Sequence, residues 1–293
     1  MPPRSPKPLA MPHLLALILL IAILGSPARA ALPSPSAENV QYDTQHPRNV
    51  LDFWAAKPGA KLPAPVIVWF HGGAFRKGDK TSMRKRGSFM FEAYRDAGYA
   101  IVSCNYPFLD RRGGMDYGDI VRHCARAVRF VRSKAEAWKI DPDRLCAGGA
   151  SAGALISESL AYGDGLDTGL AADDPTAGLH SRPQVVISHL QPIGTRDFAL
   201  RHMDAGEAPI FIYSNAPKSD RIHPPGEAVK LRDRARELDI PCVALSSGRN
   251  DLPQAKPGTN WLQTQLEFCK THLNSSKSGK KRAPRRPAES SPK

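Results

Sequence analysis

An α/β fold, with a mostly parallel sheet and helices on both of its faces, is what this sequence predicts. Three observations lead there. Short apolar, β-branched segments alternate with segments of helical periodicity across residues 31–273, a pattern that builds a parallel sheet covered on two sides. The pentapeptide Gly149-Ala150-Ser151-Ala152-Gly153 stands between one such strand and the helix after it. A glycine pair, in His71-Gly72-Gly73-Ala74-Phe75, follows directly on another strand.

Residues 1–30 read as a secretory signal peptide. Arg4 and Lys7 precede an eleven-residue apolar core over 14–24, and Ala28-Arg29-Ala30 makes a small-x-small cleavage site. Eleven apolar residues fall short of the ~20 that a bilayer crossing needs, so no membrane span is expected. The mature chain should begin near Ala31 and be secreted or periplasmic. Residues 274–293 are rich in Ser, Pro, Lys and Arg and contain no larger apolar side chain. Such a segment cannot bury enough surface to offset its ordering entropy, so a disordered basic tail is expected. Of the net charge of +13, three charges sit in the signal and a net six in the tail, which leaves +4 on residues 31–273. The tail reads as solvated chain, and no nucleic-acid partner is expected.

Within the single domain over 31–273, residues 33–38 look like a flexible lead-in and 49–54 alternate like an early strand. The run 64–70 is uniformly apolar, as in a strand buried on both faces. A helix over 83–97 and a strand over 99–104 follow. Ile120, Cys124, Val128, Val131 and Ala135 then recur at helical spacing from about Tyr117 and mark a buried face. Asp141-Pro142-Asp143-Arg144 turns into the strand ahead of Ser151. Later strands fall at 185–190, 210–214 and 242–245, and later helices at 225–238 and 260–273. The long, turn-rich stretch 163–182 is expected to contribute to a lid or substrate wall. Five cysteines spread over predicted strands and helix faces suit small buried side chains, with one disulfide still open. No Cys-x-x-Cys or His-x-x-x-His spacing occurs, so no metal, no cofactor and no catalytic thiol are expected.

Strand, sharp turn and helix are the context in which Gly-x-Ser-x-Gly makes a nucleophile elbow. The turn strains the central residue and crowds its neighbours, which small side chains relieve, and the Ser151 hydroxyl is left exposed above the sheet. The helix that follows aims its N-terminal amides at the same spot. The glycines after the strand 64–70 let backbone N–H groups approach a substrate closely. Gly73, Ala74 and Ala152 are the expected oxyanion donors, with Gly72 beside them as a further candidate. The plainer reading of each motif is a small-residue turn at a strand end. Two motifs together, each in its expected context and order, favour an α/β-hydrolase scaffold.

These residues resemble the esterase branch of the α/β-hydrolases, which includes hormone-sensitive-lipase-like carboxylesterases and feruloyl and acetyl-xylan esterases. The landmarks are 66–75 with Gly78-Asp79-Lys80, 102–106, Asp119, 125–137, 140–144 and 148–153. The resemblance implies a secreted serine hydrolase acting on carboxylic esters, with Ser151 as nucleophile. In that family an Asp follows the seventh strand and a general-base His follows the eighth. Here the first of these loops offers Asp220, a few residues late, while the second, 246–252, contains no histidine. His223 is the leading substitute, ahead of His189 at a strand end, His180, His202 and His272. Asp251 and Asp197 are weaker alternatives to Asp220.

The reading is therefore a secreted serine esterase of small-molecule or carbohydrate-linked esters, with Ser151, His223 and Asp220 as the catalytic residues. Its rival is a non-catalytic binding protein of the same fold that has lost its base. Exported protein is predicted to start within a few residues of Ala31. N-terminal sequencing that finds Met1 intact on the mature chain overturns the export reading.

Overall fold

The computed structural model describes residues 32–275 apart from 86, 87, 111, 113 and 172. The expected signal over 1–30 and the tail from 276 onward lie outside the described residues. Eight strands form one sheet: β1 (Ala37–Gln41), β2 (Val50–Trp54), β3 (Ala64–Phe70), β4 (Ala100–Cys104), β5 (Ile140–Ala150), β6 (Val185–His189), β7 (Ile210–Tyr213) and β8 (Cys242–Leu245). Their order is β1-β2-β4-β3-β5-β6-β7-β8. The β1/β2 and β2/β4 pairs are antiparallel and the remaining pairs parallel. With helices on both faces, this is the α/β-hydrolase architecture.

The alternation of side chains along β3 explains why the whole strand is apolar. Val66, Val68 and Phe70 join a core with Ile120, Cys124, Val128 and Val131 of α3 (Tyr117–Ser133) and Leu155, Ile156 and Leu160 of α5 (Ala152–Tyr162). Under β6 to β8 the same role falls to Ala228, Leu231 and Ala235 of α7 (Pro225–Glu237). The opposite face is covered by α2 (Ser88–Asp96) and α8 (Trp261–Ser275), joined by a bond from Gln265 Nε2 to the Tyr94 hydroxyl. Shorter helical stretches among the described residues include α1 (Ser82–Lys85), α4 (Ala135–Trp138) and α6 (Thr195–Phe198). Helix α3 starts where its capping box dictates: Asp116 accepts the N–H of Asp119 at 2.7 Å, and Asp119 accepts that of Asp116 at 3.0 Å.

Three expectations need correction. The lead-in is partly a strand: β1 is too polar to announce itself, and it forms because β2 offers a free edge and Asp52 accepts the N–H of Asn39. The helix expected over 83–97 is present over Ser82–Lys85 and Ser88–Asp96, residues 86 and 87 lying outside the described residues. Helix α8 runs to Ser275, two residues into the expected tail. The stretch 163–182 is not placed as a lid. Helix α5 leads away from Ser151, so the chain leaving it lies at the opposite edge of the sheet, where Arg129 and Arg182 fasten it. Arg129, fully buried, donates to the Leu166 carbonyl and to Asp167, and Arg182 donates to the carbonyls of Ala161 and Gly163. All five cysteines are free, and four of them are buried. Burial pushes up the thiols of Cys104, Cys124, Cys146 and Cys242, the last to about 12, which makes these four poor nucleophiles.

One ion pair anchors the loop after β3. Lys80 Nζ lies 2.7 Å from both carboxylate oxygens of Asp52, with both side chains buried. Asn105 accepts the Lys80 N–H and donates to Asp79, and Ser103 donates to the Lys80 carbonyl. Removing one member strands the other charge without water. Asp52→Ala is predicted to cost ~3–5 kcal/mol, read from the urea midpoint, with much of the loss recovered when Lys80→Met is added.

Candidate active site

Ser151 occupies the single residue between β5 and α5, with φ 57° and ψ −119°. That conformation is strained for any residue with a Cβ and survives only where the surroundings impose it. They do so by crowding. A Cβ on Gly153 would lie 2.0 Å from the Phe70 carbonyl oxygen, and one on Gly149 would lie 2.4 Å from the Gly153 carbonyl carbon. The Ser151 N–H is taken by the His189 carbonyl at 2.9 Å, which ties the elbow to β6.

The His71-Gly72-Gly73 loop lies directly against this turn. A Cβ on Gly72 would meet the Ala150 carbonyl at 2.7 Å and the Ser151 Cβ at 3.4 Å. Gly73 has φ 130° and no room for a side chain, since the Lys77 carbonyl would be 1.9 Å from it. Ala74 and Phe75 follow with φ of 53° and 59°, two consecutive left-handed residues that carry side chains. Among the described residues no protein acceptor takes the N–H of Gly73, Ala74 or Ala152. The loop is braced from behind. The Gly73 carbonyl accepts from Arg76 and Lys77, the Phe75 carbonyl accepts from Leu109, and the Tyr106 hydroxyl donates to the His71 carbonyl at 2.5 Å. Burial holds His71 neutral, its pKa lowered to about 4. Arg48 Nη2 faces its Nε2 at 3.5 Å, so Nδ1 carries the proton and donates to the Gly72 carbonyl at 2.8 Å.

The structure brings Ser151, His223 and Asp220 into one row. His223 Nε2 is 2.9 Å from Ser151 Oγ, and His223 Nδ1 is 3.3 Å from Asp220 Oδ2. Asp220 Oδ1 accepts the N–H groups of Ile222 and His223, both at 2.8 Å, so the carboxylate folds its own loop around itself. Those two amides, and then the imidazole, hold its carboxyl below the usual carboxylate range. Pro224 and Pro225 fix the start of α7 immediately after His223. The side chains of His223 and Asp220 remain 19% and 28% exposed, so substrate and water can reach the row.

The other candidates lie elsewhere. His189 points to the α8 face, where Nε2 meets Gln265 Oε1 at 2.6 Å; it touches the elbow only through its carbonyl. His180 lies in the 163–182 stretch at the far edge of the sheet. His202 pairs with Arg201, and His272 packs on Phe268. Asp251 is in an exposed ion pair with Lys218, and Asp197 is an exposed residue of α6.

Two supports escaped sequence reasoning. Asn250, in the loop after β8, donates to the carbonyls of Ser214 and Ala216 and so braces the loop that carries His223. The Ile193 N–H donates to the Ile222 carbonyl at 2.9 Å. Neither carries a local signal, because an Asn in a Ser-Gly-Arg-Asn turn and a backbone amide look ordinary in a sequence. Among the described residues no group of three or more His, Cys, Asp or Glu side chains could hold a metal ion, and no helix is long and apolar enough to cross a membrane.

A family model described as BD-FAE matches residues 51–216, more than half of the chain. The match includes Ser151 and the His71 loop and stops short of Asp220 and His223. No curated protein matches. Among solved structures, esterase 2 of Thermogutta terrifontis phosphoramylated by tabun is 20% identical, with 84% of this chain and 97% of that chain covered and a TM-score of 0.60. The same enzyme with propionate bound gives 20%, 82%, 94% and 0.61. A truncated carbohydrate esterase from gut microbiota is 15% identical, with 85% of this chain and 99% of that chain covered and a TM-score of 0.66. At these identities the likeness is one of fold.

The strain at Ser151 is open to measurement. Ser151→Gly relieves ~1–3 kcal/mol of backbone strain, against an entropic cost of ~0.5–1 kcal/mol for glycine. The Gly variant is predicted to be more stable than Ser151→Ala by about 1 kcal/mol in denaturant melts; equal stabilities would mean that the turn is unstrained.

Proposed function

The chain belongs to the BD-FAE family, within the esterase branch of the α/β-hydrolases, and from that premise we propose that it is a serine esterase. The observation that carries the reading is the 2.9 Å approach of His223 Nε2 to Ser151 Oγ with Asp220 behind the ring. An imidazole at that distance can take the serine proton as the oxygen attacks an ester carbonyl. Asp220 orients the ring through Nδ1 and stabilises the imidazolium that forms. The unengaged N–H groups of Gly73, Ala74 and Ala152 receive the developing oxyanion. The protonated His223 then protonates the leaving alkoxide, and a water activated by the same imidazole releases the acyl group from Ser151. No cofactor takes part in these steps.

Short acyl esters are the proposed substrates, consistent with the propionate and butyrate bound by the Thermogutta enzyme. Carbohydrate-linked esters are the finer proposal, and the likeness to a gut carbohydrate esterase supports it. The proposal places the mature chain outside the cytoplasm, because residues 1–30 read as a signal peptide. The binding-protein reading depended on the lack of an imidazole within reach of Ser151, and His223 weighs against it.

A fluorophosphonate probe is predicted to label Ser151, and Ser151→Ala to abolish the labelling. His223→Ala should lower kcat for a short-chain ester by on the order of 10³-fold or more, with little change in KM, since the proton transfer belongs to the transition state. Turnover that survives His223→Ala places the base elsewhere. No turnover of any short ester by the unmutated chain sinks the esterase reading.

A further inference from the structure

Behind the elbow lies a buried acid that the mechanism above does not use. Glu158, on α5, is fully buried and reaches across to β6 and the loop after it. Its Oε1 is 2.8 Å from Ser188 Oγ and its Oε2 is 3.1 Å from Gln191 Nε2. Ser188 Oγ is also 2.6 Å from Gln191 Oε1, Gln191 Nε2 is 3.0 Å from Thr195 Oγ1, and Thr195 Oγ1 donates to the Pro192 carbonyl at 2.9 Å. Ser188, Gln191 and Thr195 are all fully buried, so the cluster must satisfy itself.

We propose that Glu158 is held as a neutral carboxylic acid, closing a ring of hydrogen bonds with Ser188 and Gln191 that positions the loop carrying His223. Counting protons makes the case. Ser188 has one hydroxyl proton but two oxygen acceptors, Glu158 Oε1 and Gln191 Oε1. With Glu158 ionised, one of those short O···O contacts has no proton in it. With Glu158 protonated, Oε1–H donates to Ser188 Oγ and the Ser188 O–H donates to Gln191 Oε1. The Gln191 amide N–H₂ then donates to Glu158 Oε2 and to Thr195 Oγ1, and every proton is used once. Turning the Gln191 amide over does not rescue the ion. The amide oxygen would then face Glu158 Oε2 at 3.1 Å, a contact that again needs the carboxyl proton. Burial acts in the same direction and raises the Glu158 pKa to about 8. No charged side chain faces Glu158 from α3, β6 or α6. Its titratable neighbour is Tyr117 of α3, whose own ionisation burial pushes far up, while Arg196 and Asp197 of α6 are exposed.

The ring reaches the catalytic row through the backbone. Gln191 and Thr195 bracket Pro192-Ile193-Gly194, and Ile193 sends its N–H to the carbonyl of Ile222, the residue before His223. Glu158 is thus a positioning residue, and this role rests on the esterase reading.

Glu158→Gln offers the test, since its amide can donate to Ser188 Oγ and accept from Gln191 in place of the neutral acid. On the full chain labelled with ¹³C-carboxyl glutamate, one carboxyl signal should stay protonated through pH 7, titrate near pH 8 and be missing in Glu158→Gln. Titration of every glutamate in the ordinary range overturns the proposal. The stability advantage of Glu158→Gln should grow as pH rises from the unfolded value near 4.5 to about 8 and then level off, because only the folded wild type must hold a proton across that window. Hydrogen exchange at the Ile193 amide should quicken in Glu158→Ala and stay at the wild-type rate in Glu158→Gln; no change in either variant breaks the link to the loop. With p-nitrophenyl acetate, wild-type kcat should fall by up to about tenfold between pH 7 and 9 while Glu158→Gln holds its rate. An equal fall in both, or a loss in the variant that is the same at every pH, overturns the positioning role. A wild type without turnover at any pH counts against the esterase reading, while the titration and the exchange still decide Glu158.

Discussion

The close approach of two backbones, at Gly153 and Phe70, is the constraint on which the rest of the site depends. The Phe70 carbonyl at the end of β3 occupies the place where a Gly153 Cβ would be, so α5 can start only where the chain has no side chain there. That contact sets the depth at which the helix meets the sheet. It leaves one residue, Ser151, to turn the chain from strand to helix in a conformation with positive φ. The same end of β3 launches the His71 loop, and Gly72 packs against the Ala150 carbonyl. Ser151 and the candidate oxyanion donors are therefore placed by a single packing event. The strain at Ser151, Ala74 and Phe75 persists because the buried sheet beneath them has no alternative packing.

The proposed base, His223, reaches the site from an unexpected position in the chain. In the family it resembles, the general-base histidine follows the eighth strand; here that loop supplies Asn250, which braces the seventh-strand loop through the carbonyls of Ser214 and Ala216. His223 sits on the braced loop, three residues after Asp220. Acid and base so close in sequence would ordinarily compete for one direction in space. The conflict is resolved because Asp220 uses one oxygen on the backbone of its own turn and the other on the ring, so the imidazole edge faces outward to Ser151. What such chemistry needs is a distance and a direction, which several chain orders can supply.

Polar groups buried around the sheet hold these loops in register. Asp52 and Lys80 fix the segment after the glycine loop, Tyr106 holds the His71 carbonyl, and the Glu158 ring holds the segment after β6. Each is a group with no water to fall back on, so each tolerates only one arrangement of its neighbours.

Residues 64–70 by themselves determine a strand buried on both faces, since seven apolar residues in a row leave no side for water. Asp116 and Asp119 determine where α3 begins, and the glycines at 149 and 153 determine a turn too tight for side chains. These patterns are local in the sequence, although the need for glycine at 153 is set by the Phe70 carbonyl of β3. The edge strand β1 was not legible, because its pairing comes from β2 and its own residues are mostly polar. The placement of 163–182 away from the catalytic edge depends on the direction in which α5 runs, which a turn-rich composition does not encode. Most of all, a sequence could nominate His223 among several histidines, but only the folded chain decides which one lies beside Ser151. His189 ends β6 and His223 follows β7, both strands next to the site. The pleat turns the first toward α8, while the loop built on Asp220 carries the second across the top of the sheet, and a separation of 72 residues is closed by tertiary packing alone.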